Sequence, residues 1–120
     1  MSLPQDILRA LLNPLAAGGA WPTRGPDSPT YPLIIFQLVG GQAMWHSERA
    51  LPSHRNYRVQ VTTWSPREDA AMEIIHSVER ALCESSLPAE PYGSAVAVDA
   101  NLDPLDLRGF RQDFGVWFPE

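Results

Sequence analysis

The spacing of hydrophobic positions changes along the chain, and the changes mark its elements. Ile7, Leu8, Leu11, Leu12 and Leu15 recur at helical spacing behind Pro4, a residue suited to a first helical turn. Residues 4–13 therefore read as a short amphipathic helix, closed by Asn13-Pro14. Residues 16–30 hold Gly18-Gly19, Pro22, Gly25-Pro26 and Pro29 and read as an irregular connection around Trp21. Residues 31–39 form a strand whose Leu33-Ile34-Ile35-Phe36 run is apolar on both faces, so protein should cover each side. Gly40-Gly41 ends it.

Residues 42–56 show no period and read as a long loop, the kind that is usually functional or mobile. Alternation returns in residues 57–64. Tyr57, Val59, Val61 and Thr63 share one face; Arg58, Gln60, Thr62 and Trp64 share the other. Ser65-Pro66-Arg67-Glu68 then carries the marks of a helix start: Ser65 as N-cap, Pro66 at the first helical position, Glu68 closing a capping box. Ala71, Ile74, Ile75, Val78, Ala81 and Leu82 make the apolar stripe of a helix ending near Ser85. Residues 85–93, with Pro88 and Pro91, read as a turn, 94–99 as a short strand, and 101–109 as a polar connection. In the last strand, 110–118, Phe110, Phe114, Val116 and Phe118 share a face on which Gln112 is the polar exception. The order α-β-β-α-β-β predicts an α+β fold: a four-stranded, mostly antiparallel sheet with two helices packed on one face.

Length and composition narrow the function classes. At 120 residues the chain is expected to be a single domain, 1–120, able to bury a core without staples. No apolar run approaches a membrane span, and residues 1–6 have no secretory pattern. One cysteine, Cys83, permits no internal disulfide. The net charge is −5, and all nine basic residues are arginine. Without a basic cluster the chain is a poor candidate for gripping nucleic acid through phosphates. Arginine without lysine fits GC-rich coding, and it also suits interfaces, where the guanidinium is weakly hydrated and bidentate.

Candidate chemistry is sparse. His76 and Cys83 share a helix face, but seven residues separate them by roughly 10 Å, beyond the reach of a nucleophile and its base. Asp99, Asn101, Asp103 and Asp106 crowd one segment, but their spacing matches no calcium loop and suits ordinary turn formers. His46, Glu48 and His54 lack the paired spacing of zinc ligands. No phosphate-binding glycine motif occurs. Trp21, Trp45, Trp64 and Trp117 suit core or interface positions.

Four stretches together resemble the phage tail completion proteins, which share a fold with tail terminators. These are the N-terminal helix leading to Trp21-Pro22; Tyr31-Pro32-Leu33-Ile34-Ile35-Phe36-Gln37 followed by glycine; Arg58-Val59-Gln60-Val61-Thr62-Thr63-Trp64-Ser65 entering a helix that ends Val78-Glu79-Arg80-Ala81-Leu82; and the aromatic strand Arg111-Gln112-Asp113-Phe114-Gly115-Val116-Trp117-Phe118. The resemblance implies a structural subunit of a phage or prophage virion tail, assembled in the host cytoplasm. It implies a homo-oligomeric ring, expected to be a hexamer, at the head-proximal end of the tail tube. There it would stop tube growth and meet tail tube and head–tail connector proteins. It implies no enzyme activity and no cofactor, and no catalytic or metal residue is expected; the composition adds the expectation of no membrane and no specific nucleic-acid binding. The expected interface residues are Trp45, Arg49 and Arg55, because aromatics and arginines dominate interface energetics. Two other readings stand beside it: a small peptide- or ligand-binding regulatory domain using residues 42–56 and Trp45, and a hydrolase using Cys83 or the 99–106 segment.

Overall fold

A computed structural model describes residues 3–40, 54–102 and 105–119. It shows an α+β fold of two helices and, among the described residues, a five-stranded sheet rather than the expected four. Helix α1 (Pro4–Leu12) begins with Pro4 in its first turn and buries Leu8 and Leu12. Strand β1 (Ala20–Pro22) follows, then β2 (Leu33–Leu38), β3 (His54–Ser65), α2 (Glu68–Glu84), β4 (Ala89–Leu102) and β5 (Leu105–Pro119). The sheet order is β1-β2-β3-β5-β4. Among the described strands only β1 and β2 run parallel to each other, and the other pairs are antiparallel.

The unforeseen strand β1 is three residues long, too short to show a period. Three contacts tie its approach to the neighbouring chain. Asn13 Oδ1 accepts from the Ala20 amide at 3.1 Å, Trp21 Nε1 donates to the Gly18 carbonyl at 2.8 Å, and the Gly18 amide donates to the Pro32 carbonyl at 2.8 Å. Gly18 lies so near the Thr30 carbonyl that a Cβ would sit 1.7 Å from its oxygen. Pro22 lacks an N–H, which an edge strand tolerates. Arg9 of α1 stacks over the Trp21 ring at 4.5 Å and joins the helix to this edge.

Both helices pack on one face of the sheet. Leu8 and Leu12 of α1, Ile75, Val78 and Leu82 of α2, and Ile34, Phe36, Val59, Val61 and Phe114 of the strands form one core. Burying apolar surface of this extent is the main term favouring the fold. The period-two reading of β3 and β5 and the apolar stripe of α2 are all found there. Ala81 is half-buried rather than buried.

Helix α2 starts two residues later than its sequence marks suggest. Ser65 is the last residue of β3, opposite Arg108, and is not the N-cap. The residue before a proline is pushed toward extended backbone, so Pro66 holds Ser65 in the strand. Arg67 takes the N-cap position without a side-chain cap. The Ser65 hydroxyl instead accepts from the Arg67 amide at 3.1 Å. Glu68 and Asp69 place negative charge at the positive end of the helix dipole.

The second half of the sheet is longer than expected. Residues 89–93 are not a turn but the start of β4, and 105–109 belong to β5 rather than to a connection. Strands β4 and β5 form one hairpin through residues 103–104. Residues 54–56 likewise belong to β3 and not to the loop before it.

Candidate functional site

Among the described residues, the core leaves three surfaces largely uncovered: the β3-β5-β4 part of the sheet face away from the helices, the outer edge of β4, and the hairpin end.

On the open face, period-two alternation brings Arg58 of β3, Asp113 and Gly115 of β5, and Tyr92 of β4 together. Arg58 Nε donates to Asp113 Oδ2 at 2.8 Å. The Arg58 guanidinium lies over the Tyr92 ring, 5.2 Å from its centroid. The tyrosine in turn lies across Gly115, where a Cβ would stand 2.1 Å from its hydroxyl oxygen. The Arg58 side chain is 51% exposed and that of Asp113 16%, so the pair is half wet and contributes little to stability. Its effect is to fix an aromatic and an arginine in place at the surface, the residue types that most often anchor protein interfaces. Val96, 56% exposed, and Val39, 44% exposed, are further apolar surface residues.

Further along this face, Pro26, Pro29, Tyr31, Leu33, Trp64 and Leu107 line a shallow apolar depression. Gly25 passes close above the sheet; a Cβ there would lie 3.2 Å from Leu33 and 3.4 Å from Ile35. The segment before β2 thus supplies cover on the second face of the Leu33-Ile34-Ile35-Phe36 run.

The edges differ. One is β1, three residues ending in Pro22. The other is β4, fourteen residues long. From Ser94 to Leu102 it carries no proline, lysine or arginine, the usual devices that keep an edge strand from pairing with another chain. The hairpin continues past the end of β3: Ser65 lies opposite Arg108, and three more pairs, from Ala100–Leu107 to Leu102–Leu105, have no β3 partner. That overhang is about 10 Å long.

The sequence-derived site residues divide. Trp45 and Arg49 lie outside the described residues. Arg55 is exposed, in β3 opposite Phe118. His46 and Glu48, the side chains of His54, Asp99, Asn101 and Asp106, and residue Asp103 also lie outside what is described. Among the described residues, no three His, Cys, Asp or Glu side chains gather as metal ligands. Cys83 is exposed, and burial together with Glu79 and Glu84 pushes its thiol up. This disfavours the thiolate that a nucleophile requires. Sequence reasoning did not single out Tyr92, Arg58 or Val96. The alternation of β3 placed Arg58 on the open face, but Pro88, Pro91 and Gly93 made the Tyr92 segment read as a turn.

No helix is long and apolar enough to cross a membrane among the described residues. No individually curated protein shows significant similarity to the chain. The sequence model of the family described as Tail completion protein gp17 matches residues 5–114. This match runs from α1 into β5 and takes in α2 and, on the open face, Arg58, Tyr92 and Asp113. The chain belongs to this family of phage tail completion proteins, which gives it a role in tail assembly.

Proposed function

We propose that the chain is a ring subunit that completes the tail tube at its head-proximal end, working as a single domain over residues 1–120. The family match over residues 5–114 carries this reading. In it, six copies close a ring in the assembled tail, stop further tube growth and offer a surface to the head–tail connector. The role is structural: no catalysis, no cofactor, no metal, no membrane and no sequence-specific nucleic-acid contact. Assembly takes place in the host cytoplasm and the product is part of the virion tail.

The architecture supports contact between unlike surfaces. A fourteen-residue β4 edge on one side and a three-residue β1 edge on the other offer two unlike surfaces. Repeated contact between different surfaces of one subunit generates a ring when the rotation closes. Trp45, Arg49 and Arg55 are the proposed interface residues, with Trp45 as apolar anchor. The free subunit stays monomeric at ordinary concentration, since a ring closed early could not wait for its tube.

A tail-assembly or complementation assay with Trp45→Ala and Arg49→Ala proteins that still fold tests the interface. Failed tails from folded variants support the assignment, and normal tails from both remove residues 42–56 from it.

A further inference from the structure

We propose that β4 has a second register on β5, two residues removed from the one described, and that Gln112 selects between them. The pairing of the two strands breaks between Tyr92 and Val96. Before the break Tyr92 lies opposite Asp113, and after it Val96 lies opposite Arg111. Four steps along β4 therefore accompany two along β5, and β4 holds two extra residues. The bulge is centred where Gly93 adopts a positive φ of 80°, a conformation open to glycine.

The residues after the bulge are Ser94-Ala95-Val96-Ala97-Val98. Ala-Val repeats there with a period of two, the period of a strand. A slip of two keeps every side chain on its own face. In the second register Ser94 replaces Val96 opposite Arg111, Ala95 replaces Ala97 opposite Phe110, and Val96 replaces Val98 opposite Gly109. Alanine thus replaces alanine on the core face and valine replaces valine on the open face at two of the three positions. The pairing before the break would continue unbroken, and the connection would lengthen from two residues to four. The outer part of β4 would slide about 7 Å along β5.

Next to the bulge, side-chain packing discriminates weakly between these registers; farther along, the described one is favoured, because the slip would set Asp99 opposite Asp106 in place of Arg108 and leave Leu102 without a partner, so the second register is the minor one. At the bulge itself, Gln112 holds the described register. It is buried on the aromatic face of β5, 4% exposed. Its Nε2 donates to the Gly93 carbonyl at 2.9 Å, inside the bulge, and to Glu79 Oε1 of α2 at 2.9 Å. One side chain therefore fastens the bulge to the main helix. The outer edge of β4 and the hairpin end are the surfaces a slip would move, so the same residue sets what the chain presents there. The slip is a property of the free chain, whatever its place in the tail.

Paired cysteines in a Cys83→Ser chain test this. Val96→Cys with Arg111→Cys reports the register described, because directly opposed residues lie within disulfide reach. Ser94→Cys with Arg111→Cys reports the slipped register. Under mild oxidation the second pair is expected to close as a minor, slower product, and Gln112→Ala to raise its closure about tenfold or more, as loss of two hydrogen bonds implies. Closure of the first pair alone, in both backgrounds, overturns the proposal. Cross-strand proton contacts in the chain without paired cysteines decide by the same rule. Contacts from Arg111 to Ser94 in Gln112→Ala support two registers, and contacts to Val96 only, in both proteins, exclude the second.

Discussion

Replacing Gln112 gives the sharpest stability test, because it is a polar side chain in an aromatic row. Its neighbours along that face of β5 are Phe110 and Phe114, both buried. Its amide makes one bond to the Glu79 carboxylate and one to the Gly93 carbonyl. A bond to a charged group contributes about 1.5–3 kcal/mol and a neutral one about 0.5–1.5 kcal/mol. Glu79 is half-buried and Gly93 exposed, so water can recover part of both, and the low end of each range applies. Gln112→Leu keeps most of the volume and gains apolar burial, so its net cost should be about 1–2 kcal/mol. Gln112→Ala loses the same bonds and also opens space in the core, for about 3 kcal/mol. Urea unfolding of the parent and both variants gives these values, with the slope expected to stay constant. Amide exchange should show the loss concentrated in β4. If Gln112→Leu is as stable as the parent, the two bonds contribute no more than the apolar burial that replaces them, and the cost worked out for their loss is refuted.

Other substitutions report on other parts of the fold. Ser65→Ala should cost about 1 kcal/mol by losing the bond from the Arg67 amide, and the loss should appear at the β3 end rather than as fraying of α2, measured by amide exchange. Gly115→Ala places a methyl against Tyr92; the ring can swing out, so stability should fall by under about 1 kcal/mol, while tyrosine fluorescence shows greater exposure. Cys83→Ser should leave tail assembly intact in a complementation assay, and loss of assembly by a folded variant would give the thiol a role. The Arg67 guanidinium, donating to Asp69, holds that carboxyl below its usual range. Its contribution is present at neutral pH and fades as pH falls through the lowered native pKa; both groups are exposed, so Asp69→Asn should shift acid unfolding only slightly.

Strong periodicity made part of this architecture legible. Helix α2 and strands β3 and β5 bury most of their apolar positions, and a buried stripe must repeat at the period of its element. Three features hid the rest. Strand β1 has three residues, and tertiary contacts through Asn13 and Gly18 define it more than local preference does. In β4 the two extra residues break the alternation, so Pro91 and Gly93 look like turn residues when they sit in an edge strand and a bulge. At Ser65 two rules competed, and the restriction before proline prevailed over the capping pattern. The open face was harder still. Arg58, Asp113 and Tyr92 come from three strands, and in sequence each looks like any solvent-facing residue.

Copies of this chain are proposed to close a ring on the end of a tail tube. Purified protein mixed with its assembled tube, imaged by electron microscopy with particle averaging, tests it directly. One six-fold ring at a single end of each tube, together with overlong tubes when the chain is left out of assembly, is the expected result. Copies bound along the tube wall, or tubes of normal length without the chain, would contradict it.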